Sequence, residues 1–267
     1  MKVFALSDLH LDYEENLLWL NQIPNRDFQS DVLILAGDIT SDLNLLAAAF
    51  AILAARFRKV LFVPGNHEFW LHNGDFTNSL EKFNAIMALC RDTGICDTVY
   101  RSEEVTFVPL LGWYDYSFAK PDNYLRRAWR DYRACAWPPG FDDCELTRYF
   151  LDKNEEKLNA HGDTLISFSH FLPRIDLMPD RIPPSKRRVY PVLGCQGLGR
   201  QVETLKSDIH VYGHSHVNRH IQLDGTLFIN NAFGYPSEAH IALKALRCIF
   251  DTEASAIGSG ERAFSSP

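Results

Sequence analysis

Asp31-Val32-Leu33-Ile34-Leu35-Ala36-Gly37-Asp38 is an apolar, mostly β-favouring run that stops at a glycine and a carboxylate. Its apolar residues do not alternate with polar ones, the pattern of a strand buried on both faces. The layout recurs. Val3-Phe4-Ala5-Leu6 leads into Ser7-Asp8-Leu9-His10, and Lys59-Val60-Leu61-Phe62-Val63-Pro64 leads into Gly65-Asn66-His67-Glu68. Thr164-Leu165-Ile166-Ser167-Phe168 leads into Ser169-His170, and Ile209-His210-Val211-Tyr212 into Gly213-His214-Ser215-His216.

Helical stretches separate these runs. Residues 43–58 are rich in Ala and Leu, with Ser41 or Asp42 available as a cap. Asn78-Ser79-Leu80-Glu81 reads as a capping box opening a helix with Phe83, Ile86, Met87 and Cys90 on its apolar side. Strands alternating with helices imply an α/β fold on a largely parallel sheet. Ligands of such sheets gather beyond the carboxyl ends of the strands, so the five polar termini should arrive at one edge. Residues 219–229 read as a hairpin turning at Asp224-Gly225, which makes the sheet mixed.

The chain has 267 residues and a formal net charge of −7. That charge argues against nucleic-acid partners and against an anionic membrane surface. The apolar stretch at residues 3–6 is too short for a signal peptide, and no run is long enough to span a bilayer, which points to a cytoplasmic protein. The six cysteines form no CxxC pair and read as free thiols. The expected organisation is a single domain over residues 1–253, with 110–150 as a cap-like insertion and 254–267 as a loose tail.

The residue types at the strand ends are those of a metal centre. Asp8 and His10, like His214 and His216, stand at i and i+2 past a strand, where both side chains can face one side of a turn. Asp38 is suited to bridge two cations, and His170 with the amide oxygen of Asn66 completes mixed N/O coordination. Such ligands suit two divalent ions from Mn, Fe, Zn, Co and Ni without choosing among them. The absence of thiolates disfavours a closed structural zinc site.

The ordered blocks Asp8-Leu9-His10, Gly37-Asp38, Gly65-Asn66-His67-Glu68, His170 and Gly213-His214-Ser215-His216 resemble the calcineurin-like metallophosphoesterase superfamily. The resemblance implies a two-sheet sandwich flanked by helices. It implies one metal on Asp8, His10, Asp38 and His216, and another on Asp38, Asn66, His170 and His214. It implies hydrolysis of a phosphomonoester or phosphodiester, with a metal-activated hydroxide attacking phosphorus and His67 assisting the leaving group. The DxH form with an intact GHxH also resembles the superfamily's cyclic-nucleotide phosphodiesterases. A non-catalytic scaffold should have lost ligands or the His67 position, and all are present.

Other residues carry weaker signals. Glu68 reads either as the partner that orients His67 or as a turn acid. Asp12, Asp42 and Asp75 read as solvated or capping groups, His72 and His161 as surface residues, and His210 as structural. His220, in the hairpin, has a small chance of touching substrate. A helix over 122–134 would place Arg126, Arg130 and Arg133 on one face. Arg174, four residues past His170, is the expected contact for a small phosphorylated substrate, whereas residues 186–188 equally suit a solvated charge run. The Gly194–Gly199 stretch matches no phosphate-binding loop and reads as a turn before a helix.

Overall fold

A computed structural model describes residues 1–257 apart from 73, 103 and 243. Strands β1 (Lys2–Leu6), β2 (Phe28–Ala36) and β3 (Phe57–Val63) pair in parallel, and β10 (Arg247–Asp251) adds to β1 in the antiparallel sense. The second sheet contains β4 (Tyr100–Arg101), β5 (Val105–Pro109), β6 (Thr164–Phe168), β7 (Ile209–Tyr212), β8 (Arg219–Leu223) and β9 (Thr226–Asn230), in the order β4-β5-β6-β7-β9-β8. Only its two edge strands are antiparallel. Strand-helix rhythm alone suggested one mixed sheet; the chain builds two, the sandwich implied by the family resemblance.

Burial on both faces explains the unbroken apolar runs. Val3, Ala5, Val32, Ile34, Ala36, Leu61 and Val63 meet Phe107, Ile166, Phe168, Val211 and Ile229 between the sheets. The alternate residues Leu33, Leu35, Val60 and Phe62 point outward, against helices α1 (Glu14–Gln22), α2 (Leu43–Ala54) and α3 (Ser79–Thr93). Asp42 caps α2 by accepting the N–H groups of Asn44 and Leu45 at 2.8 and 3.0 Å. This helix ends at Ala54, short of the expected Arg58, because Phe57 and Arg58 already belong to β3. Asn78 caps α3 similarly, while Glu81 reaches back to the Thr77 N–H.

The segment between β5 and β6 corrects one expectation. Residues 122–134 do not form a single helix but α4 (Asn123–Ala128) and α5 (Asp131–Ala134), broken where Trp129 takes an extended ψ of 125°. The Trp129 indole N–H turns back onto Asp131 at 2.7 Å, so Arg126, Arg130 and Arg133 share no helix face. Trp113 and Tyr114 are fully buried, packing with Phe150 of α6 (Asp143–Asp152), Leu198 of α7 (Gln196–Leu205) and Phe171 against the outer face of the second sheet. Residues 194–199, expected as a turn before a helix, are mostly helix themselves: α7 begins at Gln196, with Cys195 as its cap. Asp224 and Gly225, with φ of 49° and 88°, form the two-residue turn between β8 and β9. The stretch expected to be loose from 254 begins inside a short helix, α8 (Thr252–Ile257), and 258–267 lie outside the described residues.

If the inter-sheet layer holds the fold together, Ile34→Ala should lower the unfolding free energy by about 2–5 kcal/mol. Leu18→Ala, on the exposed side of α1, should stay within about 0.5 kcal/mol. Equal urea midpoints for the two variants would contradict this placement.

Candidate metal centre

The carboxyl ends of β1, β2, β3, β6 and β7 meet at one edge, and their loops are laced together. Asp8 N–H donates to Gly37 O at 2.9 Å, His10 N–H to Asp38 O at 3.0 Å, and Gly213 N–H to His170 O at 2.9 Å. Asp8, His10, Asp38, His214 and His216 all have φ between 45° and 66°. They are five of the eight described non-glycine residues with left-handed backbone. That conformation costs about 1–2 kcal/mol per residue, so it persists only where surrounding bonds over-determine it. The turns also press tightly together. A Cβ on Gly37 would lie 2.6 Å from both Gly65 N and a nitrogen of the His170 ring.

Three groups of ligand-type atoms result: Asp8 with His10 and His216, His10 with Asp38 and His67, and Asp38 with His170 and His214. His216 Nε2 is 3.2 Å from Asp8 Oδ1 and 3.1 Å from His10 Nε2. His170 Nε2 lies 3.4 Å from Asp38 Oδ2, 3.2 Å from Asn66 Oδ1 and 3.1 Å from His214 Nδ1. All seven expected ligand residues are thus brought together, each buried or nearly so. His67 joins them from above, its Nε2 3.7 Å from Asp38 Oδ2 and its ring 3.6 Å from Trp70.

The donor chemistry fits a cation. His170 Nδ1 faces Ala36 O at 2.8 Å, His214 Nε2 faces Val192 O at 3.0 Å, and His216 Nδ1 faces Glu238 Oε2 at 2.7 Å. A nitrogen facing an oxygen acceptor must carry the hydrogen, which leaves the opposite nitrogen of each neutral ring as a lone pair aimed inward. His170 Nε2 and His214 Nδ1 face each other at 3.1 Å, so a proton on His170 or, in its place, a cation must lie between them. Burial by itself lowers the basicity of His170 and His216. Asp38 beside the first outweighs burial and holds it at about 9, and Asp8 with Glu238 holds the second at about 10. In return, burial raises Asp8, but His216 prevails and holds it down at about 2.

Two supporting carboxylates matter as much. Glu68, in the first turn of a 3₁₀ helix (His67–Phe69), is fully buried and not a solvated acid, and its oxygens go to backbone N–H groups. Its oxygens accept the N–H groups of Gly65 at 2.6 Å, Asp38 at 2.9 Å, Ile39 at 2.7 Å and Thr40 at 3.2 Å, clamping the β2 and β3 loops together. Burial and then Asp38 push it up to about 7, against the pull of these N–H groups. The second carboxylate, Asp131, accepts from Asn66 Nδ2 at 2.9 Å and from both Trp70 and Trp129 Nε1 at 2.7 Å. Burial raises it to about 6. Neither Asp131 nor Glu238 carries a recognisable sequence signal, since each acts across more than 20 residues of chain.

The structure does not bring Arg174 to this centre. Its guanidinium is held by Asp176 at 2.7 Å and by Asp224 at 2.6 Å. Asp224 is the hairpin turn, the end opposite Asn230, from which the chain continues to Phe233 and Gly234 beside the Asp8 loop. Arg188 pairs with Asp122 at 3.4 Å, and Arg187 is bonded to carbonyls of residues 180 and 182. His161 and His220 are exposed, and His210 is buried between Ser167 and Ser169, as a structural residue should be. His72 donates to or accepts from Ser41 at 3.0 Å, and Asp12 accepts from Thr40 and Ser41.

The sequence profile of the calcineurin-like phosphoesterases matches residues 1–218. The chain belongs to that family. Its His/Asp clusters could hold metal ions. In sequence it is 30% identical over 126 residues to the acyl-carrier-protein phosphodiesterase PptH of Mycobacterium tuberculosis, a match spanning 43% of this chain and 38% of that relative's length. It is 23% identical to an uncharacterized protein of Acanthamoeba polyphaga mimivirus over 87% of this chain and 91% of that one. The crystal structure of the M. tuberculosis phosphopantetheinyl hydrolase PptH superposes with a TM-score of 0.80 at 21% identity, covering 94% of this chain and 97% of that one. No helix among the described residues is long and apolar enough to cross a membrane.

Because His170 and His216 hold protons that a cation must displace, metal loading should tighten as pH rises from 6 towards 9 and release about two protons per chain. Calorimetric titration with Mn²⁺ in buffers of different ionisation heat measures that release, and zero protons would refute the assignment. Glu68→Gln turns one acceptor oxygen into a donor facing N–H groups, and should destabilise the fold by about 2–4 kcal/mol. A thermal midpoint equal to that of the unmodified chain would show that the clamp is dispensable.

Proposed function

We propose that the chain hydrolyses phosphodiesters with two divalent ions, one on Asp8, His10, Asp38 and His216 and the other on Asp38, Asn66, His170 and His214. The observation that carries this reading is the position of Asp38, whose carboxylate belongs to ligand clusters on both sides of it. Ions bound there would supply Lewis acidity towards the phosphoryl oxygens and an activated water.

The remaining work falls to the chain's own groups. Asp38 is kept ionised because His170 and His67 together outweigh its burial, so it presents negative charge to both sides. Glu238, Ala36 O and Val192 O fix the rings of His216, His170 and His214 through their outer nitrogens. His67 would supply a proton to the departing oxygen; its ring lies against Trp70, and its backbone N–H donates to Asp38 Oδ1 at 2.9 Å. Arg130 has its guanidinium carbon 4.3 Å over the Trp70 ring. Arg130 is exposed and lies over the indole that carries His67, which makes it the better placed of the arginines to meet an anionic substrate group. A phosphopantetheinylated carrier protein is the diester that the PptH relationship favours.

His67→Asn should lower kcat by about 10²–10⁴-fold on an alkyl phosphodiester. The loss should be much smaller on bis(p-nitrophenyl) phosphate, whose leaving group needs no proton. Equal losses on both substrates would remove His67 from that role. With Mn²⁺, release of phosphopantetheine from a carrier protein should outpace hydrolysis of p-nitrophenyl phosphate and of 3′,5′-cyclic AMP. Preference for the monoester would overturn the diester assignment, and preference for the cyclic nucleotide would overturn the carrier protein.

A further inference from the structure

Asn66 can serve a metal only through its carbonyl oxygen, yet an amide side chain presents two ends of nearly equal size and opposite polarity. Something must decide which end faces His170. On the inner side Asn66 Oδ1 lies 3.2 Å from His170 Nε2; the outer side fixes the orientation. Asn66 Nδ2 donates at 2.9 Å to Asp131 Oδ1, and an ionised carboxylate is an acceptor only.

We propose that Asp131 is a positioning residue for the centre, holding the Asn66 amide with its oxygen inward. This rests on the reading that Asn66 is a metal ligand. Asp131 is 3% exposed and faces four donors: Asn66 Nδ2, Trp70 Nε1, Trp129 Nε1 and the Tyr114 hydroxyl at 3.3 Å. A carboxylate is costly to bury without a cation beside it. A carboxamide could satisfy the indoles in part, but it would bring a donor end of its own and weaken the choice between the two Asn66 orientations. The same oxygen that holds Asn66 also holds Trp70, whose ring lies on His67. The other oxygen holds Trp129, whose ring stands edge-on to His214 at 5.9 Å. One carboxylate in the segment between β5 and β6 therefore sets a ligand and the neighbours of two further site histidines.

Co²⁺ binding, followed by visible absorption and by metal content, tests this. Asp131→Ala should leave one ion bound as tightly as in the unmodified chain and weaken the other by about 10–100-fold. Asp131→Asn, whose carbonyl can still accept from Asn66 but whose amide end adds a donor, should recover only part of that loss. Weakening of both ions together, in step with a lower thermal midpoint, would mean a purely structural role, and unchanged binding of both would also overturn the proposal. Should Asp131→Ala fail to fold, the side-chain amide protons of Asn66 in the unmodified chain decide, identified by their disappearance in Asn66→Ala. Slow exchange with solvent supports the bond to Asp131, and exchange as fast as for an exposed asparagine refutes it. Asn66→Ala serves as the control. If it binds two Co²⁺ ions normally, the ligand reading of Asn66 fails; if it loses one while Asp131→Ala does not, only the positioning role fails.

Discussion

The Glu68 carboxylate, with four backbone N–H groups from two different loops on its oxygens, is the contact on which the rest of the site depends. Parallel strands end by turning away from the sheet, and the turning residues expose N–H groups that no neighbouring strand can take. In the dry edge of this sandwich those groups need an acceptor. Glu68 supplies it for the loops after β2 and β3 at once, so Asp38 and Asn66 are fixed relative to each other before any ligand arrives. The left-handed backbone of Asp38 is sustained by this clamp.

Electrostatics follow from that rigidity. Asp8, Asp38, Glu68 and Asp131 are all buried in a chain of net charge −7. Each is stabilised differently: Asp8 by His216, Asp38 by His170 and His67, Glu68 by backbone N–H groups, and Asp131 by side-chain donors. The histidines, in turn, are oriented by outward acceptors. Such a lattice of buried acids and inward-facing ring nitrogens has a deficit of positive charge at its middle, which divalent cations are suited to fill.

The segment between β5 and β6, expected as a cap-like insertion, sends Trp113 and Tyr114 into the core. What reaches the site from it is Asp131, bonded to Asn66, and Trp129, edge-on to His214, at the break between two short helices. A helix reading of this stretch placed the arginines correctly as residues but wrongly as a face. At the break the Trp129 indole N–H donates to the Asp131 carboxylate, a contact that propensity does not register. Arg174 failed for a related reason: proximity in sequence to His170 did not outweigh two carboxylates waiting at the far end of a hairpin.

The strand ends bearing Asp8, His10, Asp38, Asn66, His67, His170, His214 and His216 were legible in the amino-acid order because each is a local pattern, an apolar run cut off by a polar turn, and parallel topology sends all such ends to one edge. The hairpin at Asp224-Gly225 and the caps at Asp42 and Asn78 were legible for the same reason, their physics being confined to a few neighbouring residues. The two sheets followed from the family resemblance and not from strand-helix rhythm; tertiary structure alone decided that Glu68 clamps loops instead of orienting His67, and that Asp131 and Glu238 support the ligands. Those outcomes depend on which side chain lies across a buried gap from which backbone, over separations of 22, 30 or 65 residues. A linear order carries no distance between such groups until the sheets have packed.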